Sequence, residues 1–302
     1  SQYTCHLTYH IAPAAASPRS PAAESHPGRG AAPGSIFDIR FVLSSVFSAT
    51  DIEFLRTWQP LQGPPLELRR VAYLIYETHR IGAKVARVTS RLKHWCQLFH
   101  ADEDATAIVS IAAYGADATF VAPYPPWIDP VPNTIPEEHV EWVTSKVEAM
   151  VATGEVVPVD ATSFPSRGIS ALILVINPGG KKRLCHDYSR PEHRSVNAGI
   201  QPYLPHDSYA KVTDVSAWLR PHSISVKSDL SNAFRSLPMA PAWHHRHCFR
   251  WDGVTYADTR LPFGNAASPS IFNRVTQGLT RLMKRRGFPA TAGYLDDFYS
   301  VL

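Results

Sequence analysis

The spacing of apolar and polar positions divides the chain into parts of different character. Residues 12–34 are dominated by Ala, Pro, Ser and Gly. Such a composition buries too little apolar surface to fold, so residues 1–35 are expected to be disordered. Residues 36–58 mix apolar and charged positions and predict one or two short helices, closed by Pro60, Gly63, Pro64 and Pro65. From 66 to 99, Val71, Leu74, Ile75, Thr78, Ile81, Val85, Val88, Leu92, Trp95 and Phe99 recur at threes and fours. That is the period of one long amphipathic helix, and Arg69, Arg70, Arg80, Lys84, Arg87, Arg91 and Lys93 fall on its other sides as a solvated face. Asp102-Glu103-Asp104 follows, then an Ala-rich stretch over 105–122 that favours neither state. The region 36–122 is thus mostly helical, and the prolines of 123–134 predict a linker.

Beyond the linker the pattern becomes mixed. Pro136, Glu137 and Glu138 open a helix that buries Val140, Val143, Val147, Met150 and Val151 and stops at Gly154. Strands are expected at 155–159 and 169–176, the second returning through Asn177-Pro178-Gly179-Gly180 into 181–188 as a hairpin. Residues 209–219 read as helix. Ile224, Val226 and Ser228 alternate with polar neighbours, which predicts a strand running into Asp229. Residues 246–250 and 255–259 predict a strand pair about Asp252-Gly253. A helix follows, with Ser268 as cap, Pro269 in its first turn, and Ile271, Phe272, Val275, Leu279, Leu282 and Met283 as its apolar stripe. Lys284-Arg285-Arg286 complement its negative end before Gly287. The sum is an α+β fold with antiparallel strands, preceded by helices.

Composition narrows the class. Hydrophobic residues at 44% and charged residues at 19% are those of a globular protein. The net charge is +4, and the whole excess lies in 136–302, which suits a nucleic-acid partner without requiring one. Cys5, Cys96, Cys185 and Cys248 have no pairing or metal-ligand spacing, so a reduced, intracellular protein is expected. His244-His245-Arg246-His247-Cys248 reads as a basic entry into a strand, since consecutive strand residues cannot converge on one ion. No apolar run is long enough to span a membrane.

The candidate chemistry lies in three carboxylates. Asp296 and Asp297 sit between strand-like flanks at a tight turn, and Asp229 ends a strand of its own. Like charges brought together call for a cation. Carboxylates from different strands are what holding two ions ~3.5–4 Å apart requires. Between them runs Leu261-Pro262-Phe263-Gly264-Asn265-Ala266-Ala267-Ser268. In this order and spacing the sequence resembles reverse transcriptases. Asp229 matches the first palm motif, residues 261–272 the second and Tyr294-Leu295-Asp296-Asp297 the third. Ser189-x-Pro191 and Ser195-Val196-Asn197-x-Gly199-Ile200 make it most similar to the reverse transcriptases of DIRS-type retrotransposons.

The resemblance covers 135–302 and implies right-hand polymerase fingers and palm, without thumb or RNase H. It implies RNA-directed DNA synthesis by two-metal phosphoryl transfer with Mg²⁺ or Mn²⁺. Asp229, Asp296 and Asp297 would be catalytic, and together with the Leu230 carbonyl they would ligate two ions. Arg183, Leu230, Asn232, Ala233, Phe234, Phe263 and Gly264 would contact the incoming nucleotide. Of these, Arg183 would hold phosphate and Phe234 would exclude a ribose 2′-hydroxyl. The family's lysine on the preceding strand has no counterpart; Asn177 stands nearest, and Lys181 or Lys182 is the available substitute. The implied partners are an RNA or DNA template–primer and deoxynucleoside triphosphates. Two competing readings are a catalytically silent remnant that binds RNA or protein, and an RNA-dependent RNA polymerase, which the bulk of Phe234 disfavours.

Overall fold

The computed structural model describes residues 5–6, 39–80, 91–118, 132–160, 169–192, 194–200 and 209–302. In chain order these form β1 (Cys5–His6), α1 (Ile39–Ser44), α2 (Ala49–Thr57), α3 (Leu68–Arg80), α4 (Leu92–Phe99), α5 (Ala105–Tyr114), α6 (Val140–Ala152), β2 (Val156–Val159), β3 (Ile169–Ile176) and β4 (Lys182–Asp187). They continue with α7 (Val212–Ser216), β5 (Ser225–Leu230), α8 (Ala233–Ser236), β6 (Cys248–Trp251), β7 (Val254–Asp258), α9 (Ser268–Arg285), β8 (Thr291–Tyr294) and β9 (Asp297–Val301).

The strands make two sheets. One has the order β1-β5-β9-β8 and is antiparallel throughout. The other has the order β2-β7-β6-β3-β4, antiparallel except where β3 meets β6. The α+β expectation holds, as do the β3–β4 hairpin and the β6–β7 pair. The turn between β6 and β7 places Asp252 and Gly253 at φ 45° and 73°, the left-handed pair that two-residue hairpins favour.

Helix α6 lays Val143, Val147 and Met150 on the five-stranded sheet against Leu172, Phe249 and Trp251. Val140 and Val151, expected on that face, are exposed instead; the buried stripe is narrower than the sequence pattern suggested. The largest core joins the two halves of the chain. Leu43, Leu55, Leu74, Cys96 and Val109 from the helical front pack with Leu237, Met239, Leu261, Phe272 and Val275. The described parts of 36–122 therefore share a core with α8, α9 and the loops that lead to α9.

Several expectations are corrected. The helix foreseen over 66–99 is not continuous: α3 is described as far as Arg80, residues 81–90 lie outside the described residues, and α4 starts anew after Arg91, whose φ −105° and ψ 21° are not helical. Arg70 is no solvated base, because it clamps Asp117 at 2.6 and 3.0 Å, and Asp117 also accepts from the Trp243 indole. The helix of 209–219 shortens to α7. Residues 244–246 are not a strand entry but belong to a 3₁₀ turn over Pro241–Arg246, with His245 buried and His247 buried just after it. Ser268 does not cap α9. It is the first helical residue, and its hydroxyl donates to the Pro262 carbonyl at 2.7 Å.

Within 1–35, Cys5 and His6 pair with Leu230 and Asp229 at the sheet edge; the rest of that segment lies outside the described residues. Of the Pro-rich 123–134, only 132–134 are described. Asn133 accepts from the Leu172 amide and donates to the Arg250 carbonyl, so the sheet begins to hold the chain there.

Candidate active site

Strand β5 pairs with β9 so that Asp229 stands opposite Asp297. The β8–β9 hairpin turns through Leu295 and Asp296, with Leu295 at φ 51°. A branched side chain in that region is strained, and the strain is held by neighbours. Helix α9 supplies them. Thr276 Oγ1 donates to the Leu295 carbonyl at 2.6 Å, and Gln277 Nε2 donates to the Gly293 carbonyl at 3.0 Å. The Leu230 amide donates to the Asp296 carbonyl at 2.9 Å, tying the end of β5 to the turn. The sheet and α9 thus fix the two acidic sites side by side.

They open on a cleft of about 540 Å³, a size that holds a nucleotide-sized ligand. Asp229, Leu230, Asn232, Ala233, Phe234, Phe263, Asp296 and Arg183 all line it. The structure therefore brings together every expected site residue except Gly264 and Asp297. Gly264, at φ 97°, presses its Cα against the His186 carbonyl, leaving no room for a side chain. It shapes the loop from behind. Asp297 receives the Lys227 ammonium at 2.6 Å and does not line the cleft, so the turn does not deliver both carboxylates equally.

The charges interact. The cleft walls, then the charges of Asp229 and Asp297, push the Asp296 carboxyl above the usual carboxylate range, and Arg183 works against the rise. The hydrogen bond to Asp297, with the charges of all three aspartates, raises the Lys227 ammonium. Among the described residues no three His, Cys, Asp or Glu side chains converge on one point that could hold an ion. The donor set still fits magnesium, because hard carboxylate oxygens facing a cleft are its ligands and substrate phosphates ordinarily complete its shell.

The aromatic wall is built from packing. Phe234 lies 5.3 Å from Phe263 and 5.3 Å from Phe272, ring centre to ring centre, while part of it stays open to the cleft. Asn232, at φ 57°, turns the chain from β5 into α8, a conformation Asn tolerates better than most residues. Lys181 and Lys182 also border the cleft, with Lys182 over the Trp142 ring at 5.6 Å. Lys146 of α6 borders it too and was not foreseen, since a lone lysine on a helix carries no sequence signal.

The curated relatives agree in region. Over 125 residues the chain is 30% identical to the Pro-Pol polyprotein of simian foamy virus type 1, a match spanning 41% of this chain and 10% of that one. Among solved structures, the selenomethionine-labelled prototype foamy virus protease-reverse transcriptase mutant is similar at 24% identity and a TM-score of 0.47, covering 59% of this chain and 22% of that one. The foamy viral protease-reverse transcriptase in complex with dsDNA is similar at 18% identity and a TM-score of 0.48, covering 84% and 45%. Across residues 177–301 the sequence matches the reverse transcriptase (RNA-dependent DNA polymerase) family, a span that contains Arg183, Asp229, Phe234, the 261–272 loop and the Asp296 hairpin.

Proposed function

We propose that the chain carries the fingers and palm of a retroelement reverse transcriptase of DIRS type, an RNA-directed DNA polymerase. The observation that carries this reading is one cleft shared by Asp229, Asp296, Arg183, Phe234 and Phe263, contributed by two sheets and the loop before α9. The Ser-x-Pro and Ser-Val-Asn-x-Gly-Ile spacing supports the DIRS assignment. In this reading residues 36–122 serve as a helical platform, and the protein works inside the cell.

Asp229 and Asp296, with the Leu230 carbonyl, would hold Mg²⁺ or Mn²⁺, and Asp297 adds charge from behind its Lys227 partner. Ions held there would supply activation of a primer 3′-hydroxyl and charge for a triphosphate and its leaving group. Arg183 grips phosphate oxygens with its planar fork. Phe234 closes the cleft where a ribose 2′-hydroxyl would project, and Phe263 packs on the nucleotide beside it. The basic excess of 136–302 supports a template–primer partner.

The test is primer extension on an RNA template, comparing deoxy- with ribonucleotides. Deoxynucleotide addition dependent on a divalent cation supports the reading. Preference for ribonucleotides would favour an RNA polymerase, and no addition with intact template binding would favour a silent nucleic-acid-binding module.

A further inference from the structure

Along one wall of the cleft lies a polar network with no part in the chemistry above: Arg235, Glu155 and His186 border the cleft, whereas Asp258 and Ser170 are buried and do not. Arg235, the residue after Phe234, donates through Nε to Glu155 at 3.0 Å and through an Nη to Asp258 at 2.5 Å. Asp258 is fully buried and also lies 3.2 Å from His186 Nε2. The other ring nitrogen of His186 lies 2.9 Å from Ser170 Oγ. Ser170, His186 and Asp258 have the order of a nucleophile, base and acid. All three are buried, so no outside substrate reaches the hydroxyl and a hydrolytic role is ruled out.

What the network touches suggests a different role. Arg235 sits on α8 beside Phe234. His186 lies on β4, three residues after Arg183, and its amide donates to the Phe263 carbonyl at 3.3 Å. Its carbonyl meets Gly264 so closely that no Cβ fits. One buried cluster therefore holds the phosphate-side strand, the aromatic wall and the loop before α9. Buried ion pairs are costly to desolvate and are weak sources of stability, but they can fix one arrangement among several.

Resting on the polymerase reading above, we propose that Asp258 and Arg235 are positioning residues for nucleotide selection. Asp258, which does not border the cleft, holds Arg235, and the pair sets the distance between Phe234, Phe263 and Arg183. Small displacements of such groups weaken shape discrimination, which for one group is worth about ten- to two-hundredfold. Asp258→Asn keeps the size and loses the charge that faces Arg235. Arg235→Lys keeps the charge but loses the fork that reaches both Asp258 and Glu155.

The experiment is single-nucleotide incorporation by the 302-residue chain in excess over an RNA–DNA primer–template, with dTTP and UTP titrated separately. Amide hydrogen exchange over 232–237 and 262–266 is read in parallel. For either variant the dTTP KM is expected to rise about tenfold and the preference over UTP to fall by a similar factor, with the maximal rate nearly kept. Exchange should quicken in those two segments while α6 stays protected. If Asp258→Asn does not fold, Arg235→Lys carries the same expectation. A folded variant with unchanged sugar preference and unchanged exchange in both segments overturns the proposal. A wild-type chain that incorporates nothing, while the variants still show quickened exchange, overturns the polymerase reading and leaves the cluster a structural clamp only.

Discussion

At the scale of single residues, the site divides into groups that meet the ligand and groups that hold them. Phe234 does both, since its ring packs on Phe263 and Phe272 and also lines the cleft. Phe234→Val removes steric bulk without removing a carboxylate. Ribonucleotide incorporation is expected to rise by about tenfold or more, with deoxynucleotide use partly kept, because shape discrimination of one group is worth ~1–3 kcal/mol. An unchanged sugar ratio in competition assays would make Phe234 a packing residue alone. Arg183 is on the exposed side of β4 and its charge reaches Asp296. Arg183→Ala should raise the nucleotide KM more than it lowers the maximal rate. Lys should restore it in part, as an ammonium supplies charge but not the fork. Wild-type affinity in the Ala variant would remove Arg183 from the phosphate site.

At the scale of elements, the decisive contact is between α9 and the acidic hairpin. A Cβ on Gly293 would collide with the Thr276 side chain and crowd Thr280 Oγ1 and Phe298. Gly293→Val is therefore expected to cost about 1–3 kcal/mol by overpacking and to shift the Asp296 turn. Denaturant unfolding reads the first effect and loss of incorporation the second; a variant of wild-type stability and activity would show that the approach is loose. Here the legible and illegible parts of the sequence separate. Strands β3, β4, β6 and β7 were readable because their turns carry Gly or Asp-Gly, and Asp229 and Asp296 were readable from their flanks. The 3₁₀ turn over Pro241–Arg246 was not, because its histidines serve packing that no spacing marks: His244 lies 3.1 Å from Met239 O, and His247, just after the turn, meets Asn265 at 2.8 Å and Trp243 O at 2.9 Å. The ion pair that Asp297 makes was not legible for a similar reason. Its partner Lys227 is two residues before Asp229 on the neighbouring strand, a relation that only the register shows.

At the scale of the whole molecule, the helical front is bound to the strand-bearing half by charge as well as by the common core. Asp102, fully buried, accepts from Arg281 of α9 at 2.6 and 2.9 Å. Burial alone would raise the Asp102 carboxyl, but the Arg281 hydrogen bond and the Asp104 amide outweigh it and lower it. Asp258 is likewise lowered against burial, to about 2, by Arg235 and His186. A carboxylate whose folded pKa is depressed adds stability above its unfolded pKa and loses it as pH falls through the folded value. Stability should therefore fall on acidification, from about pH 4 toward pH 2. Arg281→Met should lose on the order of 3 kcal/mol at neutral pH, because it leaves the buried Asp102 with only Arg285 at 3.5 Å and the Asp104 amide at 3.0 Å. Thermal unfolding followed across pH checks both. An acid-insensitive wild type, or an Arg281→Met chain as stable as wild type, would mean that the charges are not what joins the halves.

The claim on which the rest depends is that Asp229 and Asp296 together hold the ions of a polymerase. It is tested most directly by single-turnover addition of one deoxynucleotide to a primer on an RNA template, with the chain in excess and Mn²⁺ titrated, for wild type and Asp296→Asn. Asn keeps the shape and hydrogen-bonding reach of the side chain and removes the charge that offsets the cations. The account predicts cation-dependent addition by the wild type and loss of at least about a hundredfold in the variant, the scale of removing a group that stabilises transition-state charge. Addition by Asp296→Asn at the wild-type rate, with the same Mn²⁺ dependence, would contradict it.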